Sequence, residues 1–151
     1  MVYYFFSMSR SPDLPVDLVL IRHGESEGNV SSHKSSLQEQ FLEQLGDKKT
    51  YDYRLTERGR EQAIATGAWL RKHGSRFDGF FTSDMVRAME TSALLGLEGA
   101  SWKLDWNLRE QSMVMESRSC MDLAEARTLT IENFLAMLGK NYAGKRVVVV
   151  C

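Results

Sequence analysis

Cysteine and proline each occur only twice in the 151 residues, and both scarcities exclude something. Cys120 and Cys151 cannot build the multi-bridge framework of a small secreted domain, and they leave no paired spacing for a zinc site or a redox motif. Two free thiols in a reducing compartment are expected, which points to the cytoplasm. Pro12 and Pro15 both precede the first apolar run, and no linker rich in proline or glycine follows. One domain is therefore expected over 16–151, after an N-terminal tail at 1–15. An excess of either charge is also missing. Nineteen basic residues against twenty acidic ones leave a formal net charge of -1, so no global field attracts nucleic acid or an anionic membrane. Affinity for anions has to be local. The aromatic start, MVYYFFSMSR, is too short to span a bilayer and lacks the charged region and cleavage pattern of a signal peptide.

What is present alternates between two periodicities. Val16 to Ile21, VDLVLI, is short and branched, as a strand buried on both faces would be, and charge and glycine end it at once. Leu37, Phe41, Leu42 and Leu45 share one helical face and predict a short helix within 35–45. In LTERGREQAIATGAWLRKHG, Thr56 is the expected N-cap, Glu57 sits in the first turn, and Arg71, Lys72 and His73 close the helix before Gly74. Phe77 to Thr82 reads as a strand, SDMVRAMETSALLGL as a helix, and Trp102 to Leu104 as a short strand. Leu123, Ile131, Phe134, Leu135 and Leu138 predict a helix ended by Gly139, followed by a turn at Gly144 and the strand RVVVV. This alternation implies an α/β sandwich with a mainly parallel sheet.

In open α/β sheets, ligands gather beyond the carboxyl ends of the strands, and RHGESEGN lies there after the first predicted strand. Arg22 offers a planar fork of donors, His23 a ring nitrogen and Gly24 a close backbone approach. Ser26 and Asn29 offer further hydrogen bonds. A neutral imidazole is a good nucleophile toward phosphorus, and a covalent phosphohistidine divides one difficult displacement into two easier steps. Neighbouring arginines disfavour the imidazolium and so help keep the lone pair available. The residues alone leave open whether His23 is catalytic or structural.

Four segments in register resemble the histidine phosphatase superfamily, in its phosphoglycerate mutase-like form: RHGESEGN, LTERGREQA from Leu55, TSDMVRAMETS from Thr82 to Ser92, and LRE at Leu108 to Glu110. The resemblance implies a three-layer α/β sandwich with a mainly parallel central sheet. It also implies that His23 is the nucleophile, that Arg22 and Arg87 bind the transferred phosphoryl group with help from Asn29, and that Glu110 protonates the leaving oxygen and then activates water. The substrate class is a phosphate ester, either a small molecule or a phosphoprotein, and no cofactor is implied. For Arg87 the competing reading is a surface ion pair with Asp84 or Glu90, at helical spacing. For Glu110 it is a solvated carboxylate.

The chain departs from the family at its end, where KRVVVVC stops at the place where a second histidine followed by glycine is expected. None of His23, His33 and His73 fills that position. A preorganised donor of this kind is typically worth roughly a hundredfold to a thousandfold in rate. The alternatives are a fragment of a longer protein or a naturally short, impaired member that binds phospho-ligands or proteins. A phosphoglycerate mutase-type phosphomutase is a further alternative to the phosphatase. His33, in VSSHKSS, is expected to be solvated, and His73 to serve the helix end. The eight methionines are expected to pack rather than to bind metal, and no metal cluster stands out.

Overall fold

The computed structural model describes residues 3–7, 13–32, 46–73, 76–109 and 123–151. The short apolar runs become a sheet of β1 (Tyr3–Ser7), β2 (Asp17–Ile21), β3 (Gly79–Thr82), β4 (Lys103–Leu104) and β5 (Arg146–Val150). Their spatial order is β1-β2-β5-β3-β4. β2, β5, β3 and β4 run parallel, and β1 is an antiparallel edge. β5, the last strand in the chain, lies between β2 and β3. That explains an unbroken run of valines: Val147 to Val150 have neighbours on both edges and both faces and are wholly buried. Ile21 and Thr82 are both register partners of Val150, so the three central strands end level. The residues that follow them share one rim.

Helices cover both faces. Among the described residues these are α1 (Glu27–Ser32), α2 (Glu57–Lys72), α3 (Val86–Leu94) and α4 (Leu123–Tyr142). Side chains alternate along each strand, so Val19, Ile21, Phe80, Val148 and Val150 pack with Leu70, Met85, Ala88, Leu95 and Leu97 on one face. Leu18, Phe81, Val147 and Val149 meet Phe134, Leu138 and Tyr142 of α4 on the other. The expected three-layer sandwich is the observed architecture. α2 begins as its sequence predicts: the Thr56 hydroxyl accepts from the Gly59 N–H at 3.1 Å. It ends at His73, whose backbone N–H donates to the Trp69 carbonyl at 3.1 Å while its ring stacks on Trp69. His73 thus does serve the helix end.

Three expectations change. Tyr3–Ser7 is not a tail but a strand paired with β2 from Tyr3↔Ile21 to Ser7↔Asp17. Its aromatic residues suit a strand, but its partner is distant in sequence and so invisible to local pattern. α4 does not stop at Gly139. A Cβ there would lie 2.7 Å from the Asp13 carbonyl oxygen, so this glycine admits a close backbone crossing while the helix continues to Tyr142. Gly144, with φ of 68°, makes the expected turn. The predicted strand from Phe77 begins at Gly79. The helix predicted within 35–45 lies outside the described residues.

Candidate active site

The rim of the parallel strands carries a cavity of about 220 Å³, lined by Arg22, His23, Ser83, Met85, Arg87, Ala88, Leu108, Arg109 and Cys151. Every parallel strand contributes: β2 leads into Arg22 and His23, β5 into Cys151, β3 into Ser83, and β4 into the turn that holds Leu108 and Arg109. A larger cavity, of about 590 Å³, lies among Arg71, Arg76, Phe77 and Glu98, away from these residues. Size does not select the site; the convergence of strand ends does.

His23 is fixed at three points. Its backbone N–H donates to the Cys151 carbonyl at 2.7 Å. Its Nδ1 lies 2.7 Å from the Gly24 carbonyl oxygen, and its Nε2 lies 3.0 Å from Arg87 Nε. A carbonyl can only accept and a guanidinium can only donate, so these partners assign the proton to Nδ1 and the lone pair to Nε2. The ring is the neutral tautomer with its lone pair on the arginine side.

The loop that carries His23 is clamped between two helices. The Gly24 N–H donates to Thr91 Oγ1 at 3.1 Å, and the same hydroxyl donates to the Arg87 carbonyl at 2.7 Å. Thr91 is fully buried. On the α2 side, the Glu25 N–H donates to Gln62 Oε1 at 2.9 Å, the Glu25 carbonyl accepts from the Thr56 N–H at 3.0 Å, and the Thr56 hydroxyl donates to Glu25 Oε1 at 2.8 Å. The approach demands glycine on both sides. A Cβ on Gly24 would lie 2.3 Å from the Gly59 carbonyl oxygen, and one on Gly59 would lie 2.0 Å from that of Glu25.

Arg87 is buried to 5% exposure. Besides His23, it donates from Nη1 to the Thr50 carbonyl at 2.9 Å. The ion pairs expected for it by spacing are made elsewhere. Asp84 binds Arg109, whose Nε donates to Oδ1 at 2.7 Å and whose Nη2 donates to Oδ2. Glu90 accepts from Arg54 Nε at 2.7 Å and from the Leu55 N–H at 2.8 Å. With Glu90 occupied beneath the 48–55 segment, Arg87 is directed at the nucleophile.

Arg22 is exposed and lines the cavity. Asn29 is committed to the loop: its Oδ1 accepts from the Ser26 N–H at 3.0 Å and from Ser26 Oγ at 3.1 Å, and it is not among the lining residues. Glu110 and His33 lie outside the described residues. Among the described residues, His23 is the only histidine lining the cavity, and no group of three or more potential metal ligands occurs. Cys151, exposed as a residue, has its thiol pushed up by burial, with Arg22 pulling partly back.

Sequence reasoning did not single out Thr91 or Arg109. Thr91 follows Arg87 by four residues and so shares its helix face, a signal present in TSDMVRAMETS. Arg109 had no periodic signal, because it follows a short 3-10 turn at Trp106–Leu108.

A parallel α/β sheet with helices on both faces, gathering a histidine and arginines at its carboxyl rim, defines the doubly covered α/β class. The chain belongs to the histidine phosphatase superfamily (branch 1), whose family model matches residues 18–145. It is 37% identical over 78 residues to a 2,3-bisphosphoglycerate-dependent phosphoglycerate mutase of Methylorubrum populi, a match covering 52% of this chain and 31% of that one. A second such mutase, from Zymomonas mobilis, is 35% identical over 98 residues, covering 62% and 37%. The chain thus spans about a third of the length of the curated relatives it matches. The alpha-ribazole phosphatase of Shigella flexneri has a similar fold, with a TM-score of 0.62 at 21% identity over 88% of this chain and 72% of that one. So does a phosphoserine phosphatase from Entamoeba histolytica, solved with 3-phosphoglyceric acid, with a TM-score of 0.61 at 20% identity and the same two coverages. These two likenesses concern the fold.

Proposed function

We propose that the protein hydrolyses or transfers the phosphoryl group of a phosphate ester, a small molecule or a phosphoprotein, through a phosphohistidine on Nε2 of His23. The observation that carries this is the opposed pair of partners on the imidazole: the Gly24 carbonyl fixes the Nδ1 proton, and Arg87 marks the side on which the lone pair lies. Arg87, with Arg22, binds the incoming phosphoryl oxygens, and the Arg87 Nε–H exchanges the imidazole for phosphate as the ester arrives. Asn29 supports this site by holding Ser26 and the loop. Nε2 then attacks phosphorus in line, the P–N bond forms and the ester P–O bond breaks. The leaving oxygen takes its proton from Glu110, which in the second step takes a proton from the water that attacks phosphorus, forming a new P–O bond as the P–N bond breaks. Inorganic phosphate leaves, and His23 regains its lone pair. The matches to named mutases support a second reading, in which an acceptor hydroxyl replaces water and the enzyme is a phosphomutase.

Two cysteines without paired spacing support a cytoplasmic setting. No helix among the described residues is long and apolar enough to cross a membrane. The test of function is to incubate the protein with a labelled phosphate ester and quench it. Label that survives alkali and is lost in acid, and that vanishes in His23→Ala, is expected. No label, or label that persists in the variant, would overturn the mechanism.

A further inference from the structure

The segment from Lys48 to Leu55 reaches Arg87 through a turn with no core of its own. That 3-10 turn, Thr50–Asp52, buries no residue, so polar contacts must set its position. Two carboxylates supply them. Glu27 Oε2 accepts from Lys48 Nζ at 2.5 Å and from the Arg54 N–H at 2.8 Å. Glu90 Oε1 accepts from Arg54 Nε at 2.7 Å and Oε2 from the Leu55 N–H at 2.8 Å, with Arg60 Nη2 4.0 Å from Oε1. Glu27 refers the segment to α1, whereas Glu90 stands about one turn beyond Arg87 and refers it to the arginine's own helix, α3. The path then closes on itself. Glu90 holds Leu55, the preceding turn presents the Thr50 carbonyl, and that carbonyl accepts from Arg87 Nη1 at 2.9 Å.

We infer that Glu90 is a positioning residue for the phosphoryl site: by latching the 48–55 segment it places the Thr50 carbonyl that fixes the guanidinium plane of Arg87. The inference rests on the reading of this cavity as the phosphoryl site. A guanidinium held at Nε alone can swing about its last side-chain bonds, whereas acceptors at both Nε and Nη1 define its plane. In the proposed mechanism that plane decides whether one arginine can meet the His23 lone pair first and phosphoryl oxygens afterwards. The latch acts through an N–H more than through charge. The Arg54 side chain is 59% exposed, so its ion pair with Glu90 is screened and weak. Leu55 is buried, and a buried N–H deprived of its acceptor is costly. Helical spacing alone would pair Glu90 with Arg87; committing the carboxylate to Leu55 and Arg54 leaves the arginine for the site.

The test reads the arginine directly. Exchange of the Arg87 Nε–H with solvent is measured by NMR on the intact protein without ligand, beside the backbone amide exchange of Val147 to Val150 in β5. In Glu90→Ala the Arg87 Nε–H is expected to exchange about fivefold or more faster, the equivalent of one net hydrogen bond, while the β5 amides keep their parent rates. Glu90→Gln, which keeps an acceptor for Leu55, should stay within about twofold of the parent. Vanadate affinity, by calorimetry, should fall about fivefold in Glu90→Ala, and the same substitution added to Arg87→Lys should lower it no further. Four results would overturn the inference: unchanged Arg87 exchange in Glu90→Ala, an acceleration shared equally by β5, a Gln variant no better than Ala, or a vanadate affinity that is undiminished or falls equally in both backgrounds. Failure to label His23, or no vanadate binding by the parent, would strike the reading of the site instead and leave the exchange rates to decide the latch.

Discussion

Arg87 Nε donates to His23 Nε2 across 3.0 Å, joining residues 64 positions apart, one just past the end of β2 and the other in the first turn of α3. In the proposed mechanism the arginine holds the place of the phosphoryl group: the donor that bonds the lone pair in this state bonds phosphoryl oxygen once that lone pair is used. Geometry as well as charge should therefore matter. Arg87→Lys retains the cation but cannot reach His23, the Thr50 carbonyl and a phosphate oxygen from one plane. Its vanadate affinity, followed by inhibition or calorimetry, is expected to fall about tenfold or more. An unchanged affinity would remove Arg87 from the site.

The link from Gly24 through the Thr91 hydroxyl to the Arg87 carbonyl ties the nucleophile loop to the arginine helix. Thr91→Val keeps the shape and leaves the buried Gly24 N–H without its acceptor, at a cost of about 1–3 kcal/mol. Urea denaturation should show this loss, and Thr91→Ser should recover most of it. A valine variant as stable as the parent would mean that the link carries no energy.

Gly24→Ala is expected to be among the most damaging small substitutions. The new methyl would sit 2.3 Å from a backbone oxygen of α2, and backbone cannot rotate away as a side chain can. We expect about 1–3 kcal/mol of lost stability, and turnover reduced more than substrate affinity, because the loop moves His23 relative to Arg87. Parallel melts and kinetics on Gly24→Ala check this; normal turnover would show that the loop tolerates displacement.

Much of this arrangement was legible beforehand, for physical reasons. Strand β5 read as buried from four successive valines, and α2 read from end to end because its cap, first-turn acid and last-turn bases are local signals. His23 and Arg22 stood out by residue type beyond a strand end, whereas Arg87 stood out only through the resemblance of TSDMVRAMETS to a family motif. Pairings between distant segments were not legible. Nothing near Tyr3 announces β2, and nothing near Arg109 announces Asp84. Gly139 misled for a related reason: a glycine that ends a helix and one that admits a crossing backbone look the same until the crossing segment is placed.

Acid should loosen the protein through identifiable carboxylates. Arg109 holds the Asp84 carboxyl below its ordinary range, against the opposing effect of burial. For Glu27, burial acts upward but is outweighed by Lys48 and Arg54, and the net shift is again downward. Because the folded values are the lower ones, the unfolded chain binds protons first as pH falls. The stabilisation is thus complete above the ordinary carboxylate range and is lost as pH drops through the depressed folded values. Calorimetric Tm measured from neutral pH into that range should fall less steeply in Asp84→Asn than in the parent; identical slopes would show that the pair is energetically silent.

The central claim concerns one atom, and one measurement addresses it. Protein labelled with 15N in its histidines is phosphorylated with a phosphate ester, trapped in alkali, and examined by NMR for phosphorus–nitrogen coupling. Because Nδ1 is committed to the Gly24 carbonyl, coupling is expected to Nε2 of His23, with the Nδ1 proton retained. Coupling to Nδ1, or to no nitrogen of His23, would contradict the account.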